Sequence, residues 1–215
     1  MTGPALHVTI VSDVVCPWCY MGLQHLEAAL RLREQAQPGA PPAQWRWEPF
    51  QLNPDMPLSG MDRVAYEQRK FGAQRAQVRA RMAQASALAG VRIDWDVIVR
   101  QPNTLALHAL IEAAHDHGAP TAMARRLFEG FFVQGVDMGD EQAVADWVAP
   151  IGLAPAAVQA AWRPGGPEQA QVAQRDAAWR AQGVGGVPLF IFNQRELVSG
   201  AQPPEVLWQA MQRAA

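Results

Sequence analysis

The chain has 215 residues with 18 basic and 20 acidic side chains, a formal net charge of −2. That length supports one domain carrying an insertion, and the charge balance leaves no excess positive field to gather phosphates or an anionic membrane, so nucleic acid and membranes are not expected partners. With 49% hydrophobic and 18% charged residues, the composition is that of a globular chain and not of a disordered one.

Lysine occurs once, at Lys70, and the other basic residues are arginines, a bias read here as compositional before functional. Arg31 is the first of them, so the beginning of the chain lacks the positive region of a secretory signal, and residues 6–11 are too short for its apolar region. Residues 147–161 are the longest mostly apolar stretch, but Pro150 and Pro155 break it, short of the roughly 18 to 20 residues that a membrane helix needs. A soluble, cytoplasmic protein is the expectation. In that reducing compartment, paired cysteines point to metal binding or catalysis before a structural disulfide.

Residues 6–11 are rich in β-branched side chains and close on Ser12-Asp13, which predicts a buried strand. Met21, Leu23, Leu26, Ala29, Leu30 and Leu32 then follow the 3.6-residue period, predicting a helix over 17–35 that Pro38 and Gly39 terminate. Trp45, Trp47, Phe50 and Leu52 predict a second strand over 44–52, ended by Asn53-Pro54. This is a βαβ unit. From 60 to 182 the signals are helical: a long helix over 61–89, irregular at Gly72, then helices near 104–117, 120–133, 140–149, 155–162 and 167–182. A strand over 188–192, a tight turn at Asn193-Gln194, a pairing strand over 196–198 and a last helix from Pro203-Pro204 to Met211 complete the chain. The order is most economically one α/β sheet domain, residues 1–55 and 183–215, interrupted by an all-helical insertion over 56–182; two independent domains are the alternative.

The only cysteines are Cys16 and Cys19, in Cys16-Pro17-Trp18-Cys19. Two cysteines placed at random in this length fall three apart roughly once in a hundred times, so the spacing carries information. If Cys16 is the N-cap, Pro17 sits at N1, Trp18 at N2 and Cys19 at N3, with the Cys16 sulfur over the unpaired N–H groups of a helix start. Those donors and the positive end of the helix favour a thiolate, which makes Cys16 the nucleophile and Cys19 the resolving thiol. Half a zinc site is the competing reading. The histidines offer no persuasive ligand spacing, and His115 and His117 at i and i+2 face different sides of a helix, so no metal is expected.

The segment from Ser12-Asp13 through Cys16-Pro17-Trp18-Cys19-Tyr20-Met21-Gly22 resembles DsbA-like thioredoxin-fold oxidoreductases of the FrnE type. Residues 47–54, Pro102-Asn103-Thr104, residues 132–140, and Gly186-Val187-Pro188 through residues 198–203 resemble the same family in order, so the likeness spans nearly the whole chain. One departure is Leu107 before His108, where the family pattern has Ala. The resemblance implies an α/β thioredoxin-like fold (βαβ–ββα) with a large helical insertion, and a cis peptide at Val187-Pro188 facing the cysteines. Val187 would then offer its backbone to an extended substrate, and Pro188 would pack against the disulfide.

Other residues are weighed on their surroundings. Trp18 should be partly exposed and receive an apolar substrate segment, whereas Trp45, Trp47, Trp95, Trp147, Trp162, Trp179 and Trp208 are assigned to the core. Asn53 is either a turn residue or a substrate-binding amide, and Asn103 is either an N-terminal capping residue or part of the site lining. His108, one turn further along, is either a core histidine or a group approaching the thiols; His25 is given no role. The leading expectation is a thiol–disulfide oxidoreductase or isomerase acting on a disulfide-containing protein or a low-molecular-weight thiol. It would be a monomer or homodimer, with no bound cofactor and with glutathione as a candidate redox partner. The rivals are a glutathione-dependent isomerase or transferase of small aromatic compounds, whose enzymes usually carry serine at the position of Cys16, and a non-catalytic binding module.

Overall fold

A computed structural model describes residues 5–215; residues 1–4, at the start of the first expected segment, lie outside it. Four strands form a mixed sheet in the order β2-β1-β5-β6. β1 (His7–Ser12) pairs in parallel with β2 (Gln44–Pro49) and antiparallel with β5 (Leu189–Phe192), which pairs antiparallel with β6 (Glu196–Ser199). Helix α1 (Pro17–Ala36) connects β1 to β2. The side chains of β1 alternate as the pleat requires: Val8 and Ile10 join the main core, and Val11 meets Phe50 and Leu189 in a smaller cluster.

The β5–β6 turn uses left-handed backbone at both Asn193 (φ 48°) and Gln194 (φ 58°), the geometry that matches the twist of a two-residue hairpin. Asn193 is anchored there, accepting from the His7 N–H at 2.8 Å and donating to the Ala214 carbonyl at 3.0 Å.

Between β2 and β5 the chain forms β3 (Met61–Asp62), α2 (Arg63–Phe71), a 3-10 turn at Gly72–Gln74, α3 (Arg75–Leu88) and β4 (Arg100–Gln101). It continues through α4 (Leu105–His115), α5 (Pro120–Glu129) with a π turn over Gly130–Gln134, α6 (Glu141–Val148), α7 (Pro155–Trp162) and α8 (Pro167–Ala181), and after the hairpin closes with α9 (Pro204–Arg213) along α1. The irregularity expected at Gly72 is a break into two helices, with Gly72 at φ +50°. The insertion is not all-helical, because β3 and β4 pair as an antiparallel ribbon. Strands of two residues are too short to show a period of two, and this ribbon pins the start of α2 through Met61–Gln101 and Asp62–Arg100.

A continuous apolar core links sheet and insertion. Ile10 and Trp47 from the strands share one cluster with Leu107 and Leu110 of α4 and with Leu127, Phe128 and Phe132 of the α5 segment. Glu48 and Glu112 add polar ties, since Arg175 of α8 reaches both at 2.8 and 2.5 Å.

Candidate active site

The chain leaves β1 at Ser12 and turns tightly, the Cys16 N–H donating to the Asp13 carbonyl at 3.0 Å. Cys16 is the N-cap of α1, with extended backbone (φ −92°, ψ 114°) and Pro17 at the first helical position. Its carbonyl accepts from the N–H groups of Cys19 (3.0 Å) and Tyr20 (3.2 Å). The helix register expected of the motif is therefore present. The expected sulfur contact is not: the Cys16 side chain makes no capping hydrogen bond, and its thiol donates to the Val187 carbonyl at 3.7 Å. Val187–Pro188 is a cis peptide. Gly22 lets α1 lie against this turn, since a Cβ there would stand 3.0 Å from both the Pro188 and the Phe190 side chains.

Both cysteines are free thiols and only 2% exposed. The Cys19 thiol is pushed well above its ordinary range, first by burial and then by the hydrogen bond and charge of Cys16, against the opposing pull of the Ser12 hydroxyl and the Asp13 backbone. Cys19 thus keeps its proton until another step removes it. Behind the pair lies Asp13, fully buried, whose carboxylate accepts from the Leu52 N–H at 2.7 Å and the Val15 N–H at 3.5 Å. The Nε2 of His108, from α4, stands 3.5 Å from the same carboxylate and has no hydrogen-bond partner among the described residues.

In front of Cys16 opens a cleft of about 360 Å³. Cys16, Pro17, Trp18 and Val187 form one wall, with Trp18 38% exposed. Of the other expected site residues, Pro188, Asn53, Asn103 and His108 are not among its walls. The Asn53 side chain accepts from the Tyr66 hydroxyl at 3.1 Å, so it braces a wall residue from behind. Asn103 donates to the Met56 carbonyl at 2.7 Å and accepts from the Leu105 N–H at 3.0 Å, which places it as the brace of the first turn of α4. Trp47 is buried as expected, but Trp95, assigned to the core, stands at the cleft while packing edge-on against Phe132.

The opposite wall comes from the α2–α3 arm and was not anticipated. Arg63, Tyr66, Glu67, Lys70 and Arg79 line it together with Phe71 and Met82. The signal was present as i, i+4 pairs, Arg63 with Glu67 and Tyr66 with Lys70, on a segment read only as a long helix. Glu67 is 1% exposed and accepts from Arg63 (3.0 Å), Arg75 (2.6 Å) and Arg79 (3.2 Å). Burial alone would raise its carboxyl; the Arg63 charge and the Arg75 and Arg79 contacts outweigh that and hold it below the ordinary carboxylate range.

Among the described residues no group of three or more His, Cys, Asp or Glu is placed to hold a metal, and no helix is long and apolar enough to cross a membrane. A dithiol at a helix start, beside a cis-proline turn on a sheet of this order, defines a thioredoxin-type domain. The DSBA-like thioredoxin domain model matches residues 7–212, and the chain belongs to that family.

Among solved structures, a probable DsbA oxidoreductase from Streptomyces coelicolor is similar at 26% identity and a TM-score of 0.83, covering 97% of this chain and 89% of that one. The cytosolic disulfide reductase DsbM from Pseudomonas aeruginosa with GSH (19% identity, TM-score 0.61, 97% and 95% covered) and a 2-hydroxychromene-2-carboxylate isomerase (16%, 0.68, 96% and 95%) share the fold. The uncharacterized protein YwbO of Bacillus subtilis (strain 168) is 22% identical over 206 residues, 96% of each chain.

Proposed function

We propose that this protein is a cytoplasmic thiol–disulfide oxidoreductase in which Cys16 attacks and Cys19 resolves. The observation that carries this reading is the arrangement of the two free thiols, Cys16 lining the cleft and Cys19 one helical turn behind it, outside the lining. Deprotonated Cys16 attacks a substrate disulfide, forming one S–S bond and releasing one thiolate. Cys19 then gives up its proton and attacks Cys16 Sγ, closing the Cys16–Cys19 disulfide and releasing the second substrate thiolate. Two electrons pass from the dithiol to the substrate, and glutathione or another thiol returns them. No bound cofactor enters the exchange. The substrate is the disulfide of a protein or of a low-molecular-weight thiol.

The test is exchange activity in single-cysteine variants. Cys16→Ser is expected to abolish reduction of both insulin and a small chromogenic disulfide, while Cys19→Ser accumulates a mixed disulfide on Cys16. Undiminished turnover in Cys16→Ser would remove the redox reading. The cleft, on a fold shared with a 2-hydroxychromene-2-carboxylate isomerase, favours as second reading a glutathione-dependent isomerase or transferase. That reading requires turnover of a small aromatic compound that depends on glutathione and survives Cys19→Ser.

A further inference from the structure

The thiol proposed to attack is 2% exposed, and it opens onto a walled cleft rather than onto a flat surface. A cleft of this kind takes in a small molecule whole, whereas a folded protein would have to present its disulfide on a protruding segment. A volume of about 360 Å³ lies in the range of small-molecule sites.

The lining has two characters. Leu52, Phe71, Val78, Met82 and Trp95 supply an apolar bed. The charged wall residues are Arg63, Lys70 and Arg79 against Glu67, a local excess of positive charge in a chain whose net charge is −2. Arg63 and Arg79 are already committed to Glu67, and Arg79 also to Asp96. Lys70 differs. Among the described residues no carboxylate lies within 4.0 Å of its ammonium, which donates to the Tyr66 hydroxyl at 2.7 Å and lies over the Tyr66 and Phe71 rings at 5.2 and 5.8 Å. The only lysine of the sequence thus stands solvent-exposed at the rim of the cleft, with no carboxylate paired to it among the described residues.

Resting on the redox reading above, we propose that this cleft selects small disulfides with an apolar, flat body and an anionic group, which Lys70 pairs while the body lies on Trp95, Phe71 and Met82. The reacting S–S bond then faces Cys16, with the exchange proceeding as already written and a small dithiol in solution returning the two electrons. Charge complementarity of this kind acts on capture of the substrate and is screened by salt.

The experiment compares two aromatic chromogenic disulfides that differ in charge: the dianionic 5,5′-dithiobis(2-nitrobenzoate) and the neutral 4,4′-dithiodipyridine. Each kcat/KM is divided by the rate constant of the uncatalysed reaction with the same dithiothreitol. In the native protein the normalised ratio of anionic to neutral substrate is expected to exceed about ten at low ionic strength and to fall as salt is added. Lys70→Met is expected to lower that ratio about tenfold, and Lys70→Arg to restore it to within about threefold, because only the charge is kept. A ratio that is near one, indifferent to salt, or unchanged in Lys70→Met overturns the proposal, as does insulin exceeding both small disulfides in normalised kcat/KM. Loss of the redox reading itself looks different, since Cys16→Ser would then turn over both substrates at the native rate.

Discussion

The two sides of the cleft are built on different physics. On the sheet side, α1 is bound to the molecule by apolar contact: Tyr20 stacks on Phe128 and Phe132 at 5.3 and 5.7 Å, and Leu23 and Leu26 are buried in the cluster that contains the α4 and α5 core residues. On the arm side, α2 buries Arg63, Tyr66 and Glu67, and α3 buries only Ser86. The arm is clasped by one carboxylate and three arginines instead of by a hydrophobic stripe. Apolar packing is close to indifferent to pH, while a clasp of charges answers to it, and a buried clasp is only weakly screened by salt. One wall of the site should therefore hold its shape while the other can be loosened independently.

Removing the apolar lock gives the largest effect. Phe132 is fully buried and touches Phe128, Phe131, Tyr20 and Trp95 through their rings. Phe132→Ala should cost about 3–5 kcal/mol, on the scale of buried phenylalanine truncations. Because one core serves sheet and insertion, urea unfolding followed by far-ultraviolet circular dichroism and by tryptophan fluorescence should shift together. A loss confined to one probe would show that the two regions unfold separately.

Glu67→Gln comes next, about 2–4 kcal/mol, because it leaves the buried Arg63 and its neighbour Arg75 without their counter-charge and Arg79 with only the exposed Asp96. The effect should be local. Tryptic cleavage after arginines of α2 and α3 should accelerate by about tenfold or more, with a smaller shift of the global unfolding midpoint than Phe132→Ala produces. Equal shifts in both variants would mean that the arm and the core form one cooperative unit.

The same contrast explains what was legible in the sequence. The strands, α1 and the dithiol could be read because β-branched runs, a 3.6-residue period, Pro17 at a helix start and a three-residue cysteine spacing are local signals. The arm could be read as helix but not as a wall. Its clasp joins Glu67 to Arg75 and Arg79 across the break at Gly72, a tertiary arrangement that no local period reports, and an arginine-rich composition hides the few that are committed. His108 was left between core and site because only the fold places it 3.5 Å from Asp13, 95 residues earlier in the chain. The resemblance already sets Val187-Pro188 opposite the cysteines, 171 residues from Cys16; only the hydrogen bond from the Cys16 thiol to the Val187 carbonyl was left to the structure.

Acid should loosen both the arm and the polar ties between sheet and insertion. Burial lowers His115, with the Arg46 charge adding to it, so the folded state resists its protonation; stability is complete above the ordinary value near 6.5 and begins to decline below it. Glu48, Glu67 and Glu112 are each raised by burial but lowered overall by arginine contacts, so their stabilisation is present above about pH 4.3 and is lost as pH falls towards their depressed folded values. A shallow decline from about pH 6.5 and a steep one below about 4.3 are expected in the unfolding midpoint. Glu67→Gln should remove part of the steep phase and leave the shallow one; an unchanged steep phase would assign it wholly to Glu48 and Glu112.

The smallest effect on stability should come from Trp18, whose ring belongs to the rigid wall yet faces the cleft and solvent. Truncation to alanine removes the part of the ring that packs on the start of α1, so the unfolding midpoint should fall by about 1 kcal/mol equivalent, the middle of the range for single substitutions and well below the loss in Phe132→Ala. Its ring contacts whatever enters the cleft, before and during exchange alike. An interaction made equally in ground and transition states raises KM when it is lost and leaves kcat alone. Trp18→Ala should therefore raise KM for an aromatic disulfide by about three- to tenfold with a much smaller change in kcat. A fall in kcat at constant KM would instead show that the ring shapes the dithiol, and the rigid wall would then have to be counted as part of the reacting centre.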